Sequence, residues 1–135
     1  MTNRVLVDTS VWIEYFRGRD TPETNALDNL LVEDRADLCG PVLTEIIRGV
    51  RAGREWELTL AMIHGLEYVE CTLDDWLDAG WELNELQRRG ITVPLADALI
   101  ARLAIKSGCE LLAVDKHFDH FKAVRRFKRK GRARR

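Results

Sequence analysis

Residues 5–10 read Val5-Leu6-Val7-Asp8-Thr9-Ser10, an apolar run that stops on an aspartate. An unbroken apolar run without alternation suits a strand buried on both faces, and such strands belong to parallel sheets covered by helices. Leu111-Leu112-Ala113-Val114-Asp115 repeats the pattern near the other end of the chain. In a parallel sheet, ligands bind in the crevice beyond the carboxyl ends of the strands. Two acids, each one residue past an apolar strand, are therefore expected at a common edge.

The segments between these strands fit that frame. A helix is predicted over 9–17, with Thr9 or Ser10 as its cap. Thr21 caps a second helix that starts at Pro22 and runs to about residue 34. A short strand at 37–39 ends on Gly40-Pro41, and a helix runs from Pro41 to near Gly53. Another helix follows over 54–65, then a strand at 67–70. Thr72 caps a helix carrying Leu73, Trp76, Leu77, Leu83 and Leu86 at helical spacing. Pro94 opens a further helix that Gly108 ends. The strand at 111–114 and a short helix at 116–121 follow, with an edge strand at 123–126. This alternation predicts an α/β fold: a central, mostly parallel sheet of four to five short strands with helices on both faces.

The chain has 135 residues, enough for one domain with a sizeable core. Its formal charge of -1 hides an asymmetry, because residues 122–135 hold nine of the 21 Lys and Arg residues and no acid. Residues 1–121 read as an acidic body and 122–135 as a basic C-terminal tail suited to polyanions. Cys39, Cys71 and Cys109 are odd in number and widely spaced, which argues against a disulfide framework or a thiolate zinc site. They fit small core residues in a reducing cytoplasm. No apolar stretch approaches the roughly 18 residues of a membrane span.

Two more acids fit the expected edge. Glu45 lies early in the third helix amid Val42, Leu43, Ile46 and Ile47, with Arg48 as its nearest partner in sequence. Asp97 lies three residues after Pro94, on a helix face shared with Ala101, Ala104 and Gly108. Singly, each acid has an ordinary structural explanation: a helix cap for Asp8, a dipole contact for Asp97, an Arg48 pair for Glu45. Together, clustered carboxylates raise one another's pKa and want a cation. An all-oxygen donor set suits Mg²⁺, with Mn²⁺ as the alternative. Such an ion serves phosphoryl chemistry. His117 and His120 are expected as exposed helix residues, since neither lies three or four positions from Asp115.

"VLVDTSVWIEYF", "PVLTEIIRGV", "PLADALIARLA" and "LLAVDKHFDHF" resemble the four acidic motifs of the PIN-domain ribonucleases. Within that family the chain is most similar to VapC toxins of bacterial toxin–antitoxin pairs, from the first strand to about Phe121. The resemblance implies a metal-dependent endoribonuclease that leaves 5′-phosphate and 3′-hydroxyl ends. It implies that Asp8 and Asp97 hold the main ion, with Asp115 close by, and that Glu45 orients or deprotonates the attacking water. Ser10 matches the small hydroxyl residue beside the first acid, and Asp119 an additional acid after the fourth. The family's fourth motif commonly carries Thr or Ser where this chain has Ala113.

The resemblance also implies a small antitoxin partner and a homodimer. In such pairs an antitoxin helix lies across a groove, which Trp12, Tyr15 and Phe16 could line; the alternative puts Trp12 and Phe16 in the core and Tyr15 at the surface. An RNA substrate needs phosphate contacts, for which Arg48, Arg51, Arg54, Arg88, Arg89 and Lys116 are candidates, with Arg125, Arg126, Lys128 and Arg129 of the tail. Two other readings compete. A receiver-like or phosphatase-like domain also gathers aspartates around Mg²⁺, but here the acids come from four separate elements, two of them helices. A catalytically weak PIN-like partner in a DNA-bound toxin–antitoxin complex is the second.

Overall fold

The structure is a computed structural model that describes residues 2–128. Arg129, named above as a phosphate contact, lies outside the described residues with the rest of 129–135. The elements in chain order are β1 (Val5–Val7), α1 (Thr9–Phe16), α2 (Pro22–Val32), β2 (Ala36–Cys39), α3 (Gly40–Gly49), α4 (Arg54–His64), β3 (Glu67–Val69), α5 (Leu73–Arg88), α6 (Leu95–Ser107) and β4 (Glu110–Leu112), followed by a 3₁₀ turn at Lys116–His120.

The four strands form one sheet in the order β3-β2-β1-β4, and every pairing is parallel. Val5, Leu6 and Val7 are wholly buried, which is why this run carries no polar residue. The order reverses at β1: β2 lies on one side of it and β4 on the other. That is the switch point where doubly wound sheets open a crevice. Around the sheet α1 packs on α2, α3 packs on α1 and α6, and α5 lies along α6.

The N-cap of α1 is Asp8 rather than Thr9 or Ser10, because the helix starts directly after the strand; the next two expected caps are as the sequence placed them. Thr21 and Thr24 form a capping box at α2, and Thr72 and Asp75 form one at α5. α6 ends on Gly108 at φ 74°, where the Cys109 amide bonds back to the Ala104 carbonyl. Asp75 is buried and also receives hydrogen bonds from Arg102 and Lys106, so it ties α5 to α6. Burial pushes its carboxyl up, but the Lys106, Thr72 and Arg102 bonds more than offset this and hold it well below the usual carboxylate range.

Three expectations shift. β4 ends at Leu112 rather than at Val114, because the ladder closes when the Asp8 amide bonds to the Leu112 carbonyl and β1 turns into α1. Asp115 thus follows a two-residue excursion, Ala113-Val114, from the strand. The edge strand expected at 123–126 is a single parallel bridge, Leu111 with Arg126, held by the Leu111 and Phe127 amides. Val124 and Phe127 pack on the core, so the basic segment that begins at Lys122 runs along the body before residue 129. α3 stops at Gly49, where Val50 is extended, four residues before the expected end.

Cys39 and Cys109 are buried and Cys71 is half-buried, all three free. Burial pushes the Cys39 thiol up to about 12, which leaves it an inert core residue. No helix of the described residues is long and apolar enough to cross a membrane.

Candidate active site

The carboxyl edge of the sheet gathers the acids. Asp8 follows β1 directly and stands at the N-cap of α1, yet its side chain makes no cap bond. Ser10 Oγ donates to Asp8 Oδ2 at 2.8 Å instead. Asp8 is only 6% exposed. Burial pushes its carboxyl up, the Ser10 bond pulls it down, and the charge of Asp97 pushes it up again.

Asp97 enters from the first turn of α6, which Pro94 opens. It is half-buried, and burial again raises its carboxyl. A bond to His117 opposes that rise, while the charges of Asp115 and Glu45 add to it. Asp97 is thus the common neighbour: its charge acts on Asp8, and those of Glu45 and Asp115 act on it. Asp115 caps the 3₁₀ turn, its Oδ1 accepting from the His117 amide at 2.8 Å.

Glu45 is held by a residue that sequence reasoning missed. Thr9 Oγ1 donates to Glu45 Oε1 at 2.6 Å, across 36 residues of chain. Arg48, the expected partner, is exposed and forms no ion pair with it among the described residues. A hydroxyl directly after the first acid was the available signal for Thr9.

His117 departs from expectation more sharply. Its Nδ1 lies 2.8 Å from Asp97 Oδ2 and 3.1 Å from Asp115 Oδ1, so it is part of the cluster. The helical i+3 and i+4 rule misleads here because the turn is 3₁₀ and Asp115 folds back on the His117 amide. The imidazole is thereby carried alongside the carboxylate two residues earlier. His120 is exposed, as expected.

Asp119 stands apart from the acids, 64% exposed and paired with Arg126 Nη1 at 2.7 Å. Arg126 Nη2 also donates to the Ala113 carbonyl at 2.9 Å, the position where a side-chain hydroxyl was missing. Its guanidinium lies over the Phe118 ring. Arg125 Nη2 donates to the Gly108 carbonyl at 2.7 Å. Both arginines, expected as phosphate contacts, are thus engaged in holding the C-terminal segment to the sheet. Arg48, Lys116 and Lys128 are exposed.

Trp12 is buried in the core with Phe16 stacked on it at 5.8 Å, so it lines no groove. Phe16 does: with Ile13, Ile46 and Val50 it lines a groove of about 350 Å³ between the ends of α1 and α3 and the start of α4. Arg17, Arg51 and Glu55 rim it.

The donor set fits a divalent cation. Ligand atoms of Asp97, Asp115 and His117 all lie within 4.8 Å of one another. The charge of Asp97 raises the cost of ionising Asp8, and those of Asp115 and Glu45 raise the cost of ionising Asp97, a cost that a bound cation would relieve.

Comparison with known proteins agrees with this geometry. Residues 5–124 match the PIN domain family. The chain is 32% identical over 121 residues to VapC ribonuclease Mb1587 of Mycobacterium bovis, covering 85% of this chain and 89% of that protein. Ribonuclease VapC11 of Mycobacterium tuberculosis is similar to the same extent, 32% over 121 residues. In three dimensions the fold is similar to VapBC2 from Rickettsia felis bound to a DNA fragment from its promoter, with a TM-score of 0.72 at 20% identity, covering 91% of this chain and 96% of that one. It is also similar to Mycobacterium tuberculosis VapC20, a sarcin–ricin-loop-cleaving toxin, with a TM-score of 0.63 at 20% identity over 85% of this chain and 92% of that one. With a family match that spans all four strands and all six helices of the described residues, the chain belongs to the PIN-domain family and, within it, to the VapC ribonucleases of toxin–antitoxin systems.

Proposed function

We propose that this chain is a Mg²⁺-dependent endoribonuclease, the toxin of a VapBC-type pair, that hydrolyses RNA to 5′-phosphate and 3′-hydroxyl ends. The observation that carries it is the convergence of Asp8, Glu45, Asp97 and Asp115, from four separate elements, at the switch point of one parallel sheet. Asp8, Asp97 and Asp115 would hold the ion, which supplies charge neutralisation on the phosphate and a more acidic water. Ser10 orients the Asp8 carboxylate by donating to one of its oxygens. Glu45, oriented by Thr9, accepts the proton of the attacking water. Arg48, Lys116 and Lys128, with Arg129 beyond the described residues, contact the RNA backbone without reading bases. Asp119 acts at one remove, by fixing Arg126 against the loop that carries Asp115.

Two protein partners belong to the same reading. A VapB-like antitoxin segment docks in the groove lined by Ile13, Phe16, Ile46 and Val50. A second copy covers the outward face of α5, where Leu73, Trp76, Leu77 and Trp81 are exposed at helical spacing. The protein works in the cytoplasm, where its free thiols and its RNA both reside.

The test is incubation of antitoxin-free protein with total cellular RNA, with Mg²⁺ or with EDTA, beside an Asp97→Asn variant. Discrete fragments that vanish in EDTA and in the variant are expected. Intact RNA across ions and salt, from protein that still binds Mg²⁺, would overturn the nuclease and leave a binding role.

A further inference from the structure

We propose that His117 is itself a ligand of the divalent ion, so that this site takes a nitrogen donor and prefers Mn²⁺ to Mg²⁺. The inference rests on the reading of Asp97 and Asp115 as metal ligands and sharpens it to the identity of the ion.

The argument starts from the position of one nitrogen. His117 Nδ1 lies 2.8 Å from an oxygen of Asp97 and 3.1 Å from an oxygen of Asp115. Adjacent ligands of an octahedral ion with bonds of ~2.1 Å stand roughly 3.0 Å apart. The two separations match that edge, and the three ligand atoms all fall within the 4.8 Å span a shared ion permits. A neutral imidazole, by contrast, carries at most one proton on Nδ1 and cannot give a straight hydrogen bond to two carboxylates at once.

The backbone supports the same placement. The His117 amide donates to Asp115 Oδ1 at 2.8 Å, so the Asp115 carboxylate is tied to the His117 backbone before any ion arrives. Phe118, the next residue, is buried and anchors the turn. His117 is therefore positioned from both sides of its own backbone, not free to drift as an exposed helix residue would be.

The consequence for the ion follows from ligand chemistry. Mg²⁺ takes oxygen ligands almost alone, whereas imidazole binds first-row transition ions. One nitrogen among carboxylates tilts the site toward Mn²⁺ while leaving it usable by Mg²⁺.

The experiment uses the full chain, free of antitoxin, loaded with Mn²⁺ and measured by pulsed electron paramagnetic resonance for modulation from a directly bound nitrogen. Calorimetric titration of Mn²⁺ and of Mg²⁺ accompanies it, on the wild type, His117→Asn and Asp97→Asn, with circular dichroism to verify folding. The expected result is imidazole nitrogen modulation in the wild type that is lost in His117→Asn. In that variant Mn²⁺ binds about tenfold more weakly or worse, while Mg²⁺ binding changes much less. Mn²⁺ bound without nitrogen modulation, with unchanged or tighter affinity in His117→Asn and loss only in Asp97→Asn, would overturn the inference and leave the carboxylate site standing. Absence of binding by either ion to the folded wild type would overturn both.

Discussion

Thr9 Oγ1 donates to Glu45 Oε1 at 2.6 Å, which joins the residue after the first acid to the acid on α3. If Glu45 takes the proton of the attacking water, this bond sets the carboxylate's orientation. Thr9→Val keeps the shape and removes the donor. It is expected to lower kcat on an RNA oligonucleotide by about 10- to 100-fold, the scale of losing an orienting partner, with little change in KM. Steady-state kinetics check this, and an unchanged kcat would remove Thr9 from the account.

Asp8 links activity and stability in opposite senses. Its carboxyl is raised in the folded state by burial and by Asp97, so the folded protein holds the proton more tightly than the unfolded chain. That contribution to stability is full below the unfolded pKa and is lost as pH rises through the folded value. At neutral pH the ionised, metal-free Asp8 therefore destabilises the fold. Asp8→Asn is expected to cost about a thousandfold in cleavage, from losing a ligand to an ion that supplies several kcal/mol. Its melting temperature in EDTA should equal or exceed that of the wild type. Added Mg²⁺ or Mn²⁺ should raise the melting temperature of the wild type only.

Asp75 gives the opposite sign, far from the chemistry. Burial raises its carboxyl, but Lys106, Thr72 and Arg102 depress it overall in the folded state. Its stabilising contribution is present above the unfolded value of about 3.9 and is lost as pH falls through the folded one. Asp75→Ala removes both the α5 capping box and the tie to α6. It is expected to cost about 2–4 kcal/mol in urea unfolding at pH 7, and the gap to wild type should narrow in acid. Cleavage per folded molecule should be nearly unchanged.

Arg126 and Lys116 are both cations near the site, yet they should fail differently. Arg126 is engaged with Asp119, the Ala113 carbonyl and the Phe118 ring, so it holds the loop that carries Asp115. Arg126→Ala should lower kcat and melting temperature together. Lys116 is exposed, and Lys116→Ala should weaken RNA binding while lowering the slope of log affinity against log salt by about one unit. Binding titrations over a salt series separate the two.

The sheet was legible because unbroken apolar runs such as Val5–Val7 have few other uses, and the helices because Thr21, Thr72, Pro22 and Gly108 mark their ends. The acids were legible as a set because strand order and helix starts both aim at one edge. What escaped depends on how the chain turns after a strand. The end of β4 is decided by the Asp8 amide, a partner more than a hundred residues away. The arrival of His117 depends on a 3₁₀ turn that residue spacing does not announce. Arg125 and Arg126 read as part of a charge run, and only the pairing of their backbone with Leu111 shows that they belong to the body.

The most direct measurement is the chemistry of the new ends when cleavage is run in ¹⁸O-labelled water. Attack by a water that the acidic cluster activates predicts the label in a 5′-phosphate opposite a 3′-hydroxyl, with no product in EDTA or with Asp97→Asn. A 2′,3′-cyclic phosphate free of label, or the labelled 3′-phosphate that its later hydrolysis gives, opposite a 5′-hydroxyl and formed equally well in EDTA, would mean that the RNA's own 2′-hydroxyl is the nucleophile and would contradict the metal-site account.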